Sequence, residues 1–193
     1  MDIETVHYAN MLFGAGIIGL VALSILALVC LIFGSGENRY LAFIKKYFIE
    51  IGFFISVSAL LVSLFYSEIV GYLPCKHCWI QRIFMFPQAF LFGVAWLHKP
   101  ARNAFSIADA GGDRNVLWYS LPLLLAGLAD AIYLTYIYYF QPNSAPCDAS
   151  GVSGVQRLVS EFGGIVTIPS LALSGFFILL TLLAVAHFYK KGE

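Results

Sequence analysis

Five stretches of this chain leave a folding polypeptide almost no choice of solvent. Met11 to Phe33 carries no charged side chain and, as a helix, is long enough to cross a hydrocarbon core of about 30 Å. Ile51 to Ser67 is likewise uncharged and lies between Glu50 and Glu68. Trp79 to His98 holds one charge near its start, Arg82, and Val116 to Phe140 holds one, Asp130. Gly163 to Tyr189 holds none, with His187 close to its end. In lipid every backbone polar group must be satisfied internally, and unbroken apolar runs of this length do so as helices. Pro87, Pro122 and Pro169 do not argue against that reading, because neighbouring groups in a membrane helix re-satisfy the freed carbonyls. Charged residues make up only 11% of the chain, against about 25% in a soluble domain. Mean hydropathy is +0.83. The expectation is an all-α integral membrane protein, with residues 1–193 forming a single membrane domain.

The leader Met1 to Asn10 contains Asp2 and Glu4 but neither Lys nor Arg, and the apolar run after it exceeds the usual signal-peptide core. The first run therefore reads as a retained anchor. With five spans, the 34–50 and 99–115 loops and the C-terminus share one side. That side holds eight basic residues: Arg39, Lys45, Lys46, Lys99, Arg102, Arg114, Lys190 and Lys191. The other side holds Lys76 and Arg157, with Arg82 just inside the third span. The richer side is expected to be cytoplasmic, which turns Cys75, Cys78 and Cys147 outward, where disulfides persist. Net charge is zero, so no basic surface points to nucleic acid. Two connecting segments look amphipathic. Val155, Leu158, Val159 and Phe162 share one helical face and suit the outer interface, and Tyr40 to Phe48 suits the inner one.

The four cysteines are Cys30, Cys75, Cys78 and Cys147. A C-x-x-C serves either as a redox disulfide or as half a zinc site. Zinc needs two further N or S ligands at matching spacing. Cys147 is single and His77 lies inside the motif, so redox chemistry is preferred and no metal is expected. Pro74 precedes the pair and the third span begins at once with Trp79, which places the cysteines at a helix N-terminus. Unpaired N–H groups there favour negative charge, and hence the thiolate, the reactive form of cysteine. Arg82 lies one turn beyond Cys78 on the same face, and a cation at membrane depth is functional by default. The plainer reading has it snorkel to lipid phosphates.

Leu73-Pro74-Cys75-Lys76-His77-Cys78-Trp79-Ile80-Gln81-Arg82-Ile83, followed by Met85 and Pro87, resembles the signature of the disulfide bond formation protein B family, closest to its DsbB/BdbC-type members. Phe162-Gly163-Gly164-Ile165-Val166-Thr167-Ile168-Pro169 is similar to the segment that opens that family's last span. The resemblance implies a four-helix transmembrane bundle over 51–189, here with one extra N-terminal helix at 11–33. It implies a thiol:quinone oxidoreductase of the bacterial cytoplasmic membrane that reoxidises a thioredoxin-like, DsbA-type partner and passes the electrons to ubiquinone or menaquinone. Carried over by position, Cys75 and Cys78 are the redox pair and Cys78 lies nearest the quinone. Arg82, with Trp79 and Gln81, assists quinone binding.

The pattern breaks in the last outward loop, where family members carry a second cysteine pair and this chain has only Cys147. The missing position falls near Ser153 or Gly154. Cys147 is expected to be unattached, or held in a mixed disulfide with Cys75 or with the partner. Cys30 cannot replace the lost cysteine. It lies nineteen residues from Met11, roughly 28 Å deep, and is expected to be a packing residue. Asp130, in the fourth span, is either a proton carrier or one end of an interhelical hydrogen bond. Two competing readings remain: a vitamin K epoxide reductase-like protein, and a non-enzymatic scaffold or transporter subunit with a structural disulfide. The C-x-x-C stands before the second core helix, not at the last, which argues against the first. Gln81-Arg82 behind the pair argues against the second.

Overall fold

A computed structural model describes residues 3–34, 38–71, 74–97, 109–140 and 166–189. Among these residues six α-helices and no strand occur: α1 Ile3–Phe33, α2 Arg39–Lys46, α3 Phe48–Leu64, α4 Lys76–Leu97, α5 Asp109–Phe140 and α6 Ile168–Phe188. α3 continues into a wide π turn, Phe65–Ile69. Five segments are long and apolar enough to cross a membrane: Val6–Phe33, Phe48–Ile69, Lys76–Leu97, Val116–Phe140 and Ile168–Phe188. This is the all-helical membrane fold that the charge-free runs dictate.

The last helix corrects its expected start. It begins at Ile168, not Gly163, and Thr167 before it has an extended backbone. Thr167 Oγ1 accepts from the Ser170 N–H, while Ser170 Oγ accepts from the Thr167 N–H. That reciprocal cap, with Pro169 in the first turn, fixes the boundary. Hydropathy is blind to such a cap. The first helix begins earlier than Met11, and the second span runs on through the π turn beyond Ser67.

α3 packs on α4, α4 on α5, α5 on α6 and α6 back on α3, closing a four-helix ring, and α1 stands outside it against α6. Lipid tails are as apolar as leucine, so helices in a membrane are held by close packing and polar contacts, not by the hydrophobic effect. Two glycines show this. A Cβ added to Gly52 would lie 2.6 Å from the Phe92 ring, and one added to Gly127 would lie 2.3 Å from the Phe176 ring. Both rings are fully buried, so α3 locks to α4 and α5 to α6. Gln88 Nε2 donates to the Ser120 carbonyl at 3.4 Å and ties α4 to α5.

The segment expected at the inner interface forms α2. Asn38 caps it, its Oδ1 accepting from the Tyr40 N–H. Leu41 and Ile44 are buried while Phe43 and Lys46 face out. Lys45 Nζ donates to the Tyr189 carbonyl, so α2 also braces the end of α6. The second amphipathic segment, Val155 to Phe162, lies outside the described residues.

α1 is attached to the far end of α3. The Tyr66 hydroxyl donates to Asn10 Oδ1 at 2.7 Å, and both residues are buried. The Phe13 ring packs edge-on against Phe65 and Tyr66, with centroids 5.8 and 6.2 Å away.

Candidate active site: a cysteine pair above a buried guanidinium

α4 begins immediately after Cys75. The Cys75 carbonyl accepts from the Trp79 N–H at 3.2 Å, and its sulfur accepts from the Cys78 N–H at 3.4 Å. Cys75 thus caps the helix with a sulfur in place of the usual oxygen. Its Sγ lies 3.1 Å from Cys78 Sγ, the separation of a thiol–thiol hydrogen bond, and both side chains are half-buried. The expected placement at a helix start holds, and one first-turn N–H, that of Cys78, points at the Cys75 sulfur.

Arg82 sits about 6 Å further along the helix than Cys78 and is only 6% exposed. It does not snorkel. Nε donates to Ser63 Oγ at 2.9 Å, and Nη2 donates to the Ser63 carbonyl and to Ser67 Oγ, each at 2.8 Å. These acceptors come from the end of α3, where the wide turn begins. π turns loosen the regular ladder of a helix and recur at functional sites. Sequence reasoning missed Ser63 and Ser67. The available signal was two hydroxyls four residues apart in an otherwise apolar span, opposite a lone intramembrane arginine.

The remaining positions divide. Gln81 is buried, and its Nε2 has no hydrogen-bond partner among the described residues. Trp79 is 54% exposed and its ring lies 5.2 Å from the Arg82 guanidinium carbon. Cys75, Cys78, Gln81 and Arg82 all border a cavity of about 380 Å³ walled by α1, α3, α4 and α6. Trp79 does not border it, so the structure separates it from the residues it was grouped with. Most of the cavity's polar lining comes from the last turns of α3 and the first two of α4; the rest is hydrocarbon. Cys30 packs against the apolar core near α2. Cys147, Ser153 and Gly154 lie outside the described residues. Among the described residues no group of three metal-ligating side chains occurs.

Asp130 makes an interhelical hydrogen bond, one of its two expected forms. Its Oδ1 lies 2.7 Å from His77 Nδ1, which joins α5 to the middle of the C-x-x-C. The other oxygen, Oδ2, is buried and has no partner among the described residues. The His77 ring also meets Tyr133, with centroids 5.5 Å apart. Asp130→Leu would leave the imidazole unpaired and is expected to lower stability by about 1–3 kcal/mol. Thermal unfolding of the detergent-solubilised protein checks this, and an unchanged midpoint would remove the pair from the forces that hold the cysteine end together.

Residues 45–186 match the sequence profile of the family described as Disulfide bond formation protein DsbB. The chain belongs to the DsbB family. It is 32% identical over 140 residues to "Probable disulfide formation protein C 2" of Bacillus cereus, covering 72% of this chain and 91% of that one. It is 31% identical over 149 residues to "Disulfide bond formation protein C" of Bacillus subtilis, covering 76% and 94%. No solved structure matches. As a DsbB-family protein it is a multi-pass membrane oxidoreductase that forms disulfides. The DsbB match takes in the cysteine pair, Arg82, Ser63 and Asp130, and leaves α1 outside.

Proposed function

We propose that this DsbB-family chain is a thiol:quinone oxidoreductase. It reoxidises a thioredoxin-like, DsbA-type dithiol and delivers the electrons to ubiquinone or menaquinone. One observation carries the reading: two sulfurs at a helix N-terminus form part of the wall of a mostly hydrocarbon cavity that also holds a guanidinium. A quinone is an apolar ring and tail bearing two carbonyl acceptors. The cavity matches that chemistry, with apolar walls along most of its length and the unpartnered Gln81 amide nitrogen beside Arg82 at one end. Cys78, Gln81 and Arg82 would hold such a ring. When bound, a quinone supplies an acceptor for two electrons and two protons.

The chain's own part is thiol–disulfide exchange. In the oxidised protein, a partner thiolate attacks the Cys75–Cys78 disulfide. One S–S bond breaks, a mixed disulfide forms, and one cysteine of the pair leaves as a thiolate. The partner's second thiol then attacks the mixed disulfide, which releases the partner oxidised and leaves Cys75 and Cys78 as thiols. The Cys78 N–H steadies a thiolate on Cys75, and Arg82 supplies positive charge one turn below Cys78. The pair returns to a disulfide as two electrons and two protons leave for the acceptor. A relay through the last outward loop would instead hold the partner's mixed disulfide on Cys147, and that loop lacks the companion cysteine that would pass oxidation on from the Cys75–Cys78 pair. The cysteine end faces outward from a bacterial cytoplasmic membrane. Support comes from Arg39, Lys45 and Lys46 on α2, at the opposite end of α3 from the pair.

Purified protein in nanodiscs, given a reduced thioredoxin-like dithiol and either quinone, is expected to oxidise the dithiol with equimolar loss of quinone. Ser153→Cys or Gly154→Cys is expected to raise the rate by completing the relay. No quinone loss while the dithiol stays reduced would overturn the reading, as would alkylation of Cys75 from the cytoplasmic side alone.

A further inference from the structure

α1 lies outside the region matched to the DsbB family, yet it walls part of the cavity that contains the cysteine pair. Leu12, Phe13, Gly16, Ile17 and Leu20 border it. Their spacing puts them on a single helical face extending about 12 Å along the axis. The hydrogen bond from Tyr66 to Asn10 and the packing of Phe13 on Phe65 and Tyr66 hold that face in register with the end of α3. A buried polar contact of this kind is a specific tie in a solvent where leucines give helices no preference for one another.

Gly16 differs from the glycines of the ring. At Gly52 and Gly127 an aromatic ring occupies the space a side chain would take. A Cβ built on Gly16 meets no atom within 4 Å, although the residue borders the cavity. Glycine weakens a helix relative to alanine, and here no neighbouring helix needs the room. What the missing side chain leaves is open space at the border of the cavity, where Gly16 is itself exposed.

The geometry points to α1 as a built-in wall of the acceptor site, with Gly16 as the residue that admits the acceptor's apolar tail. The inference rests on the quinone reading and adds to it a specificity element. Polar groups for a ring come from α3 and α4, whereas the α1 face offers a hydrocarbon chain only apolar surface.

The test measures binding in nanodiscs of two probes with the same ring: an untailed dimethoxy-methyl-benzoquinone and its decyl-substituted analogue. Quenching of tryptophan fluorescence reads the affinity, and a parallel arm reads reoxidation of the cysteine pair by thiol alkylation. Gly16→Leu is expected to weaken the decyl quinone by about tenfold or more, the loss when roughly two methylenes forfeit their burial. It should leave the untailed quinone at the wild-type affinity. Gly16→Ala should give a smaller loss of the same kind. Gly19→Leu replaces a glycine that has no neighbour within 4 Å and does not border the cavity, and it should match wild type. A wild-type thermal midpoint verifies that each variant is folded. Wild-type affinity for both probes in Gly16→Leu, or equal loss of both, overturns the assignment of the tail to α1. A wild-type protein that binds neither probe overturns the quinone reading, and this proposal with it.

Discussion

Cys78→Ser is expected to fold normally and to lose turnover to the background level, a fall of at least about 10³-fold. The argument is one of electron count. Two electrons leave the protein only when two sulfurs become bonded, and a serine hydroxyl neither ionises at neutral pH nor forms that bond. Structure is spared because the substitution is nearly isosteric at a half-buried position, and such changes cost less than about 1 kcal/mol. The variant keeps Cys75, so it can still open a disulfide on an oxidised partner but has no neighbour to release the adduct. A covalent complex that survives a non-reducing gel and disappears with reductant is the companion result. Wild-type turnover in Cys78→Ser would show that the chemistry lies elsewhere in the chain.

The second large effect belongs to Arg82. Arg82→Met keeps length and removes the charge together with three donated hydrogen bonds. Single-turnover reoxidation of the pair by quinone is expected to fall by about 10²–10³-fold, the usual loss when one preorganised donor is taken from a dry site. Stability should fall as well, since the Ser63 carbonyl loses a charged donor, a change of about 1–3 kcal/mol. Arg82→Lys separates charge from shape. An ammonium restores the positive charge, but it cannot reproduce a planar fork that meets a carbonyl and two hydroxyls at once. Lysine should therefore recover part of the rate and little of the thermal midpoint. If methionine at this position reoxidises as fast as wild type, the guanidinium is structural only.

The fold was legible because hydrocarbon leaves a long apolar run with at most one charge a single solution, and all five spans were visible that way. Their ends were less so. The start of α6 is set by Thr167 and Ser170, and the end of α3 by a wide turn that no periodicity announces. The cysteine pair could be placed at a helix start because Pro74 and Trp79 bracket it. Its surroundings could not, since they depend on how helices are rotated about their own axes. Arg82 finds Ser63 and Ser67 across the α3–α4 contact, and His77 finds Asp130 fifty-three positions away. Trp79, adjacent to Cys78, appeared to belong to the binding group, yet one step along a helix turns a side chain by about 100° and carries it to the exposed face. The contribution of α1 was hidden for the same reason: nothing in its composition says which side of the ring it joins.

Glycine–ring locks join α3 to α4 and α5 to α6, and among the described residues none joins α3 to α6, two of the four helices that line the cavity. The bundle is thus stitched by such locks along two of its edges. Under the proposed chemistry, the electron acceptor would reach the cavity from within the bilayer, alongside α1, and never pass through water. Its supply is then a matter of two-dimensional diffusion, set by the viscosity of the bilayer and the size of the dissolved pool. Disulfide output would follow the respiratory state of the membrane even where the aqueous compartments on either side are unchanged.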